Sequence, residues 1–149
     1  MNASEKVNFI SNWIKDYANN MPSKAQSLVI GISGGIDSAL TSTLCAKTGL
    51  PTLCLEMPIK QQENQVERAQ EHIKWLGRSH QNVNSHLIDL GTVFDAFSST
   101  VEADIKDNQA QLSLANTRAR LRMTTLYYYA ALHRYLVAGT GNKVEDFGV

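Results

Sequence analysis

The apolar run SLVIGI, residues 27–32, passes without a break into SGGIDS, residues 33–38, and from there into a stretch with helical spacing. A short continuous apolar run bounded by turn residues reads as a strand buried on both faces, here Leu28 to Ile32. Such a strand needs helices on both sides of its sheet. The same alternation recurs along the chain: PTLCLEM is a second strand before a turn at Met57–Pro58, SHLIDL a third and YLVAG a fourth. Between them the spacing predicts helices from Asp37 to Thr48, closing at Gly49, and from Glu63 to Leu76, ending at Gly77. Two more are predicted over Val93 to Ile105 and Leu114 to His133. An amphipathic helix carrying Val7, Ile10, Ile14 and Tyr17 precedes the first strand and ends near Asn19–Asn20. Strands alternating with helices predict an α/β fold, a doubly wound parallel sheet with helices on both faces, in a single domain over residues 1–149.

That fold needs a core, and 149 residues of which 43% are hydrophobic can supply one. A net charge of zero gives no whole-chain attraction to nucleic acid or an anionic membrane, and no apolar run is long enough to span a bilayer. Cys45 falls on an apolar helix face and Cys54 in a strand; both read as buried free thiols, which suits a reducing cytoplasm. The charges are distributed unevenly. Asn108 to Val144 holds no Asp or Glu but carries Arg118, Arg120, Arg122, Arg134 and Lys143. A solvated helix face interleaves acid and base three or four residues apart. This one has no acids to interleave, so an anion from elsewhere is expected to answer the arginines. On a continuous helix Arg118 and Arg122 share a face and Arg120 points roughly the other way.

In a doubly wound sheet ligands sit at the carboxyl ends of strands. Two glycine-bearing segments fall there, SGGIDS after the first strand and GTGNKVE, residues 139–145, after the fourth. Ser33, Gly34 and Gly35 let backbone N–H groups approach an anion, and the helix that follows adds unsatisfied donors and a partial positive charge. Asp37 would repel a phosphate unless a cation stood between them, and Mg²⁺ takes one or two carboxylates together with phosphate oxygens. The loop lacks the lysine of G-x-x-x-x-G-K-[ST], and G-x-G-x-x-G does not occur either.

SGGIDS resembles the pyrophosphate loop of the N-type ATP pyrophosphatases, whose fold is the adenine nucleotide alpha hydrolase-like one. ANTRARLRM, residues 115–123, and GTGNKVE, in that order behind the loop, are similar to the corresponding segments of NAD synthetase. The resemblance implies amidation of deamido-NAD with ammonia to give NAD, AMP and pyrophosphate through an acyl-adenylate. It also implies a site. Gly31, Ile32, Ser33, Gly34, Gly35, Ile36, Asp37, Ser38 and Thr140 would bind ATP. Asp37 and Glu145 would hold Mg²⁺, and Arg120 would bind deamido-NAD. No side-chain nucleophile is expected, since positioning, charge stabilisation and the metal suffice for such a transfer. Met57–Pro58 is a candidate neighbour of the adenine. Tyr127, Tyr128 and Tyr129 are candidates for ring stacking, with packing the expected role of at least two of them. His72, His80, His86 and His133 form no ligand constellation.

NAD synthetases run on well past the point where EDFGV closes this sequence, so a truncated chain is expected. With about thirty residues before the loop there is no room for a glutaminase domain, and ammonia is the expected nitrogen source. A homodimer is a further implication of the resemblance. A tRNA-modifying pyrophosphatase would share the loop but should carry a basic RNA-binding surface, which the charge balance does not supply. A nucleotide-binding fragment without turnover is the remaining alternative.

Overall fold

A computed structural model of the chain describes residues 1–142. Four strands, β1 (Ser27–Ile32), β2 (Thr52–Glu56), β3 (Val83–Leu87) and β4 (Tyr135–Val137), form one sheet in the order β3-β2-β1-β4. Every neighbouring pair is parallel. Five helices accompany them: α1 (Ala3–Asn20), α2 (Ile36–Lys47), α3 (Glu63–Ser79), α4 (Gly91–Thr100) and α5 (Asn108–His133). The α/β fold expected from the alternation is the observed one.

Strand periodicity divides β1 between two cores. Leu28, Ile30 and Ile32 project to one side, where with Cys54 they pack against Cys45 and Ala46 of α2 and Ala69 and Leu76 of α3, with Ile14 of α1 at the margin. Val29 projects to the other side and joins Leu55, Phe94 of α4, and Leu114 and Ala130 of α5. Leu28, Val29 and Ile30 are wholly buried, as a central strand covered on both faces requires. Both thiols are buried and free. Burial pushes Cys45 up to about 11; burial, then the neighbouring Cys45, pushes Cys54 up to about 12.

Several boundaries differ from the expected ones for local reasons. The third strand begins at Val83 and ends at Leu87, earlier than SHLIDL suggests. Beyond it the N–H of Ile88 donates to the carbonyl of Glu56, and that of Leu90 to Pro58, as the chain leaves the ladder for α4. Gly77 does not end α3: the helix continues to Ser79, and a Cβ at Gly77 would meet nothing. α4 stops at Thr100 rather than near Ile105, with Glu102 in a left-handed conformation at φ 51°. α5 starts earlier than Leu114 because Asp107 caps it, its carboxylate accepting the N–H of Ala110 at 2.8 Å. Gly49, at φ 76°, follows the end of α2 as expected.

Candidate functional site

The order β3-β2-β1-β4 places a topological switch point between β1 and β4. From β1 the chain winds outward through β2 to β3, then returns along α5 to the opposite side of β1. The helix that follows β1, α2, packs on one face of the sheet and the helix that leads into β4, α5, on the other, with a crevice at the carboxyl ends of the two strands. A cavity of about 340 Å³ occupies this position. Its lining comes from Gly31 and Ile32 at the end of β1 with Ser33 and Ser38 beyond, Val137 at the end of β4 with Ala138 to Thr140 beyond, Met57 and Gln61 after β2, and one face of α5. That face presents Ala119, Arg122, Met123, Leu126 and Tyr127.

The loop after β1 is held from within and from behind. Gly34 sits at φ 87°, and a Cβ there would come within 2.4 Å of the Gln65 carbonyl oxygen of α3. Only glycine tolerates both the conformation and the approach. Arg68 of α3 donates from Nε to the Gly34 carbonyl at 3.3 Å. Inside the loop, the Ser38 hydroxyl donates to the Gly35 carbonyl at 3.1 Å, while the Ser33 N–H donates to Ser38 Oγ at 3.2 Å. Ser33 Oγ accepts the Gly35 N–H at 3.2 Å. Ser38 is buried, so its hydroxyl fastens the loop. The α2 N-cap is Gly35, which supplies no side-chain acceptor to the first turn. Those leading N–H groups remain available to an anion.

Asp37 is not the helix cap. It lies in the first turn of α2, and its Oδ2 accepts a hydrogen bond from Asn142 Nδ2 at 3.1 Å, linking the first loop to the segment after β4. Gly34, Gly35 and Ile36 border a second hollow of about 280 Å³ on the α3 side of the loop, together with Arg68 and His72. Thr140 lines the main cavity. Glu145 and Lys143 lie outside the described residues. Arg120 is exposed and stands outside the cavity. Arg122 borders the cavity, with Nε donating to the Met57 carbonyl at 3.0 Å. Its pKa is lowered by burial and then by the nearby Arg118 cation. Arg118 itself covers the Phe94 ring at 4.5 Å.

Met57 and Tyr127 join the cavity as their positions suggest, whereas Tyr129 packs against His86 and His133. His72 bonds Ser42 at 2.8 Å and stacks on Trp75. Gln61, Ala119, Met123 and Leu126 were not singled out in the sequence. The signal for the α5 residues was present in their spacing, since 119, 122, 123 and 126 fall on one helical face. Among the described residues no three His, Cys, Asp or Glu side chains gather to hold a metal ion, and no helix is long and apolar enough to cross a membrane.

Comparison with known proteins bears on this arrangement. Residues 6–147 match the family described as NAD synthase. The NH(3)-dependent NAD(+) synthetase of Carboxydothermus hydrogenoformans is 35% identical over 147 residues, covering 97% of this chain and 57% of the relative. That of Mycoplasma genitalium is 38% identical over 138 residues, 91% of this chain and 52% of the relative. Among solved structures, NMN synthetase from Francisella tularensis superposes with a TM-score of 0.85 at 34% identity, over 97% of this chain and 57% of that one. NH3-dependent NAD synthetase from Campylobacter jejuni, in complex with the nitrate ion, gives 0.82 at 34% identity, over 97% and 59%. The chain thus spans little more than half the length of these relatives.

Proposed function

The chain belongs to the NAD synthase family, and from that premise we propose that it binds ATP at the β1–β4 crevice and serves the ATP-dependent amidation of deamido-NAD by ammonia. The observation that carries this reading is the cavity itself. An anion loop, Gly31 to Ser38, lies at one side and a mostly apolar wall of Met57, Met123, Leu126, Val137 and Ala138 at the other. Such a hollow suits a nucleotide, with its flat base on the apolar wall and its phosphates on backbone donors.

In the proposed reaction a carboxylate oxygen of deamido-NAD attacks the α-phosphorus of ATP. The bond from that phosphorus to the bridging oxygen breaks, and its electron pair leaves with pyrophosphate. Ammonia then adds to the acyl carbon of the adenylate, AMP departs, and the surplus proton passes to water. No protein nucleophile is needed. The leading N–H groups of α2 hold the departing pyrophosphate, and the Ser33–Ser38–Gly35 bonds keep the loop in shape for it. Asp37 suits a hard divalent cation: it is a carboxylate beside an anion loop, with one oxygen directed at Asn142. Asp37, with Glu145 by family resemblance, would hold Mg²⁺, which when bound neutralises phosphate charge.

Incubation with ATP, Mg²⁺, ammonium and deamido-NAD, following pyrophosphate and NAD together, tests the reading. Coupled formation of both supports it; pyrophosphate release indifferent to deamido-NAD overturns it. ATP binding without turnover would identify a nucleotide-binding module. A second acceptor is suggested by the likeness to NMN synthetase: the same amidation on a mononucleotide. Running both acceptors side by side separates the two. A homodimer is supported by the exposed Met123, Tyr127, Tyr128 and Leu132 on α5, and a cytoplasmic setting by the two free, buried thiols.

A further inference from the structure

Arg122 is a half-buried cation with no acidic partner among the described residues. It borders the cavity of about 340 Å³ and is the sole charged side chain in that cavity's described lining. One of its five N–H donors, Nε–H, is taken by the Met57 carbonyl at 3.0 Å. Among the described residues its guanidinium has no carboxylate within ion-pair distance; the ion pairs there are Met1 with Glu5 and Lys60 with Asp95. The anchoring bond fixes the fork in the cavity wall, and the remaining donors have no protein acceptor among the described residues. Burial and the neighbouring Arg118 both disfavour the charge at this position. A cation kept there against both influences needs an anion, and the described residues supply none.

Accepting the ATP reading above, the nucleotide carries anions in two places. The β,γ portion is served by the backbone donors of the loop. The α-phosphate is a second anion for the cavity to hold, and Arg122 is the sole charged side chain in its described lining. We propose that Arg122 binds the α-phosphate, holding it by its free guanidinium N–H groups while Nε stays fixed to Met57. This sets a division of labour, with neutral N–H groups at the leaving pyrophosphate and a cation at the phosphorus under attack. As the carboxylate oxygen approaches and negative charge grows on the non-bridging oxygens, a fixed guanidinium stabilises it in place. The bond to Met57 also joins α5 to the segment after β2, which carries Gln61 into the same wall.

The test separates the two halves of the nucleotide. AMP carries the α-phosphate alone, and pyrophosphate mimics the β,γ end alone. Each is titrated calorimetrically, with Mg²⁺ present, into the wild-type chain, Arg122→Gln and Arg122→Lys. The expected result is a loss of AMP affinity of about tenfold or more in Arg122→Gln, the size of a lost charged hydrogen bond. Pyrophosphate affinity should stay within about twofold, and Arg122→Lys should recover part of the AMP binding. Arg122→Lys also decides the matter if Arg122→Gln does not fold, because it must then bind AMP more weakly than wild type and pyrophosphate equally. Unchanged AMP affinity, or equal losses for both ligands, overturns the assignment while leaving the nucleotide reading intact. A wild-type chain that binds pyrophosphate but not AMP also overturns it. One that binds neither overturns the ATP reading, and the assignment with it.

Discussion

At Gly34 a single hydrogen atom separates a working loop from a collision. Any side chain would meet the Gln65 carbonyl and strain a backbone at φ 87°. Gly34→Ala should therefore destabilise the protein by about 1–3 kcal/mol in denaturant titrations and abolish pyrophosphate binding. Asp37→Asn makes a different prediction. The side chain is in contact with Asn142 rather than capping α2, so stability should change little, whereas Mg²⁺-dependent ATP binding should weaken. Unchanged ATP binding in the variant would remove Asp37 from the metal site. His72 offers a third. Burial lowers its pKa from the ordinary 6.5, so the unfolded chain binds its proton more readily than the folded one. Its stabilising share is complete above about pH 6.5 and is lost as pH falls through the lower folded value. Taking wild type from pH 7.5 to 5 should lower its urea midpoint more than the same change does in His72→Gln. The residue scale is where the sequence was least informative about direction. Arg118, Arg120 and Arg122 alternate along one stretch and are chemically identical, and only the packing of α5 shows that Arg122 borders the cavity while Arg120 stays in solvent.

Among the elements, the strands and helices were legible in number and kind because burial on two faces leaves an unmistakable pattern in β1 and β2. Their ends were less so. β3 is an edge strand with four exposed residues, so its apolar pattern is weak and the apparent strand slid toward Ile88 and Leu90, which are held outside the ladder. At α5 the cap decided the boundary. Asp107 lies seven residues before Leu114, and an aspartate in a polar stretch reads as a loop until its carboxylate is seen on the Ala110 N–H. Asp107→Ala should cost about 1 kcal/mol, seen as a lower denaturation midpoint with the cavity's ligand affinities unaffected. The effect stays local because the cap is about four turns distant from Arg122 along the helix.

For the whole molecule, the central fact is that the cavity draws its walls from segments far apart in sequence. Composition and charge indicate a globular domain with an unanswered basic stretch; they do not show that residues near 33, 57, 122 and 140 converge. The motif order in the sequence suggested it, and the switch point between β1 and β4 accomplishes it. A ligand that touches all four should stabilise the entire fold. ATP with Mg²⁺ at a hundred times its dissociation constant should add about 2.7 kcal/mol, a rise of several degrees in the melting temperature. No rise would mean that the cavity does not take the nucleotide. Cys45 and Cys54, buried on one side of the sheet, should react with a thiol reagent at pH 8 only as the protein unfolds, which provides a clock for that event.

That clock bears on time as well as energy. Ser27 is paired with Tyr135, and Val29 with Val137, so the β1–β4 ladder joins stretches of chain roughly a hundred residues apart. Contacts of such long range should form late, after β1 and β2 have met, and the three-residue β4 is a short clasp to close them. A nucleotide lying across the carboxyl ends of both strands would act on this clasp after it has shut. Its main kinetic effect should be on escape from the native state: thiol exposure should slow as ATP is added, while refolding proceeds at nearly the same rate with or without it.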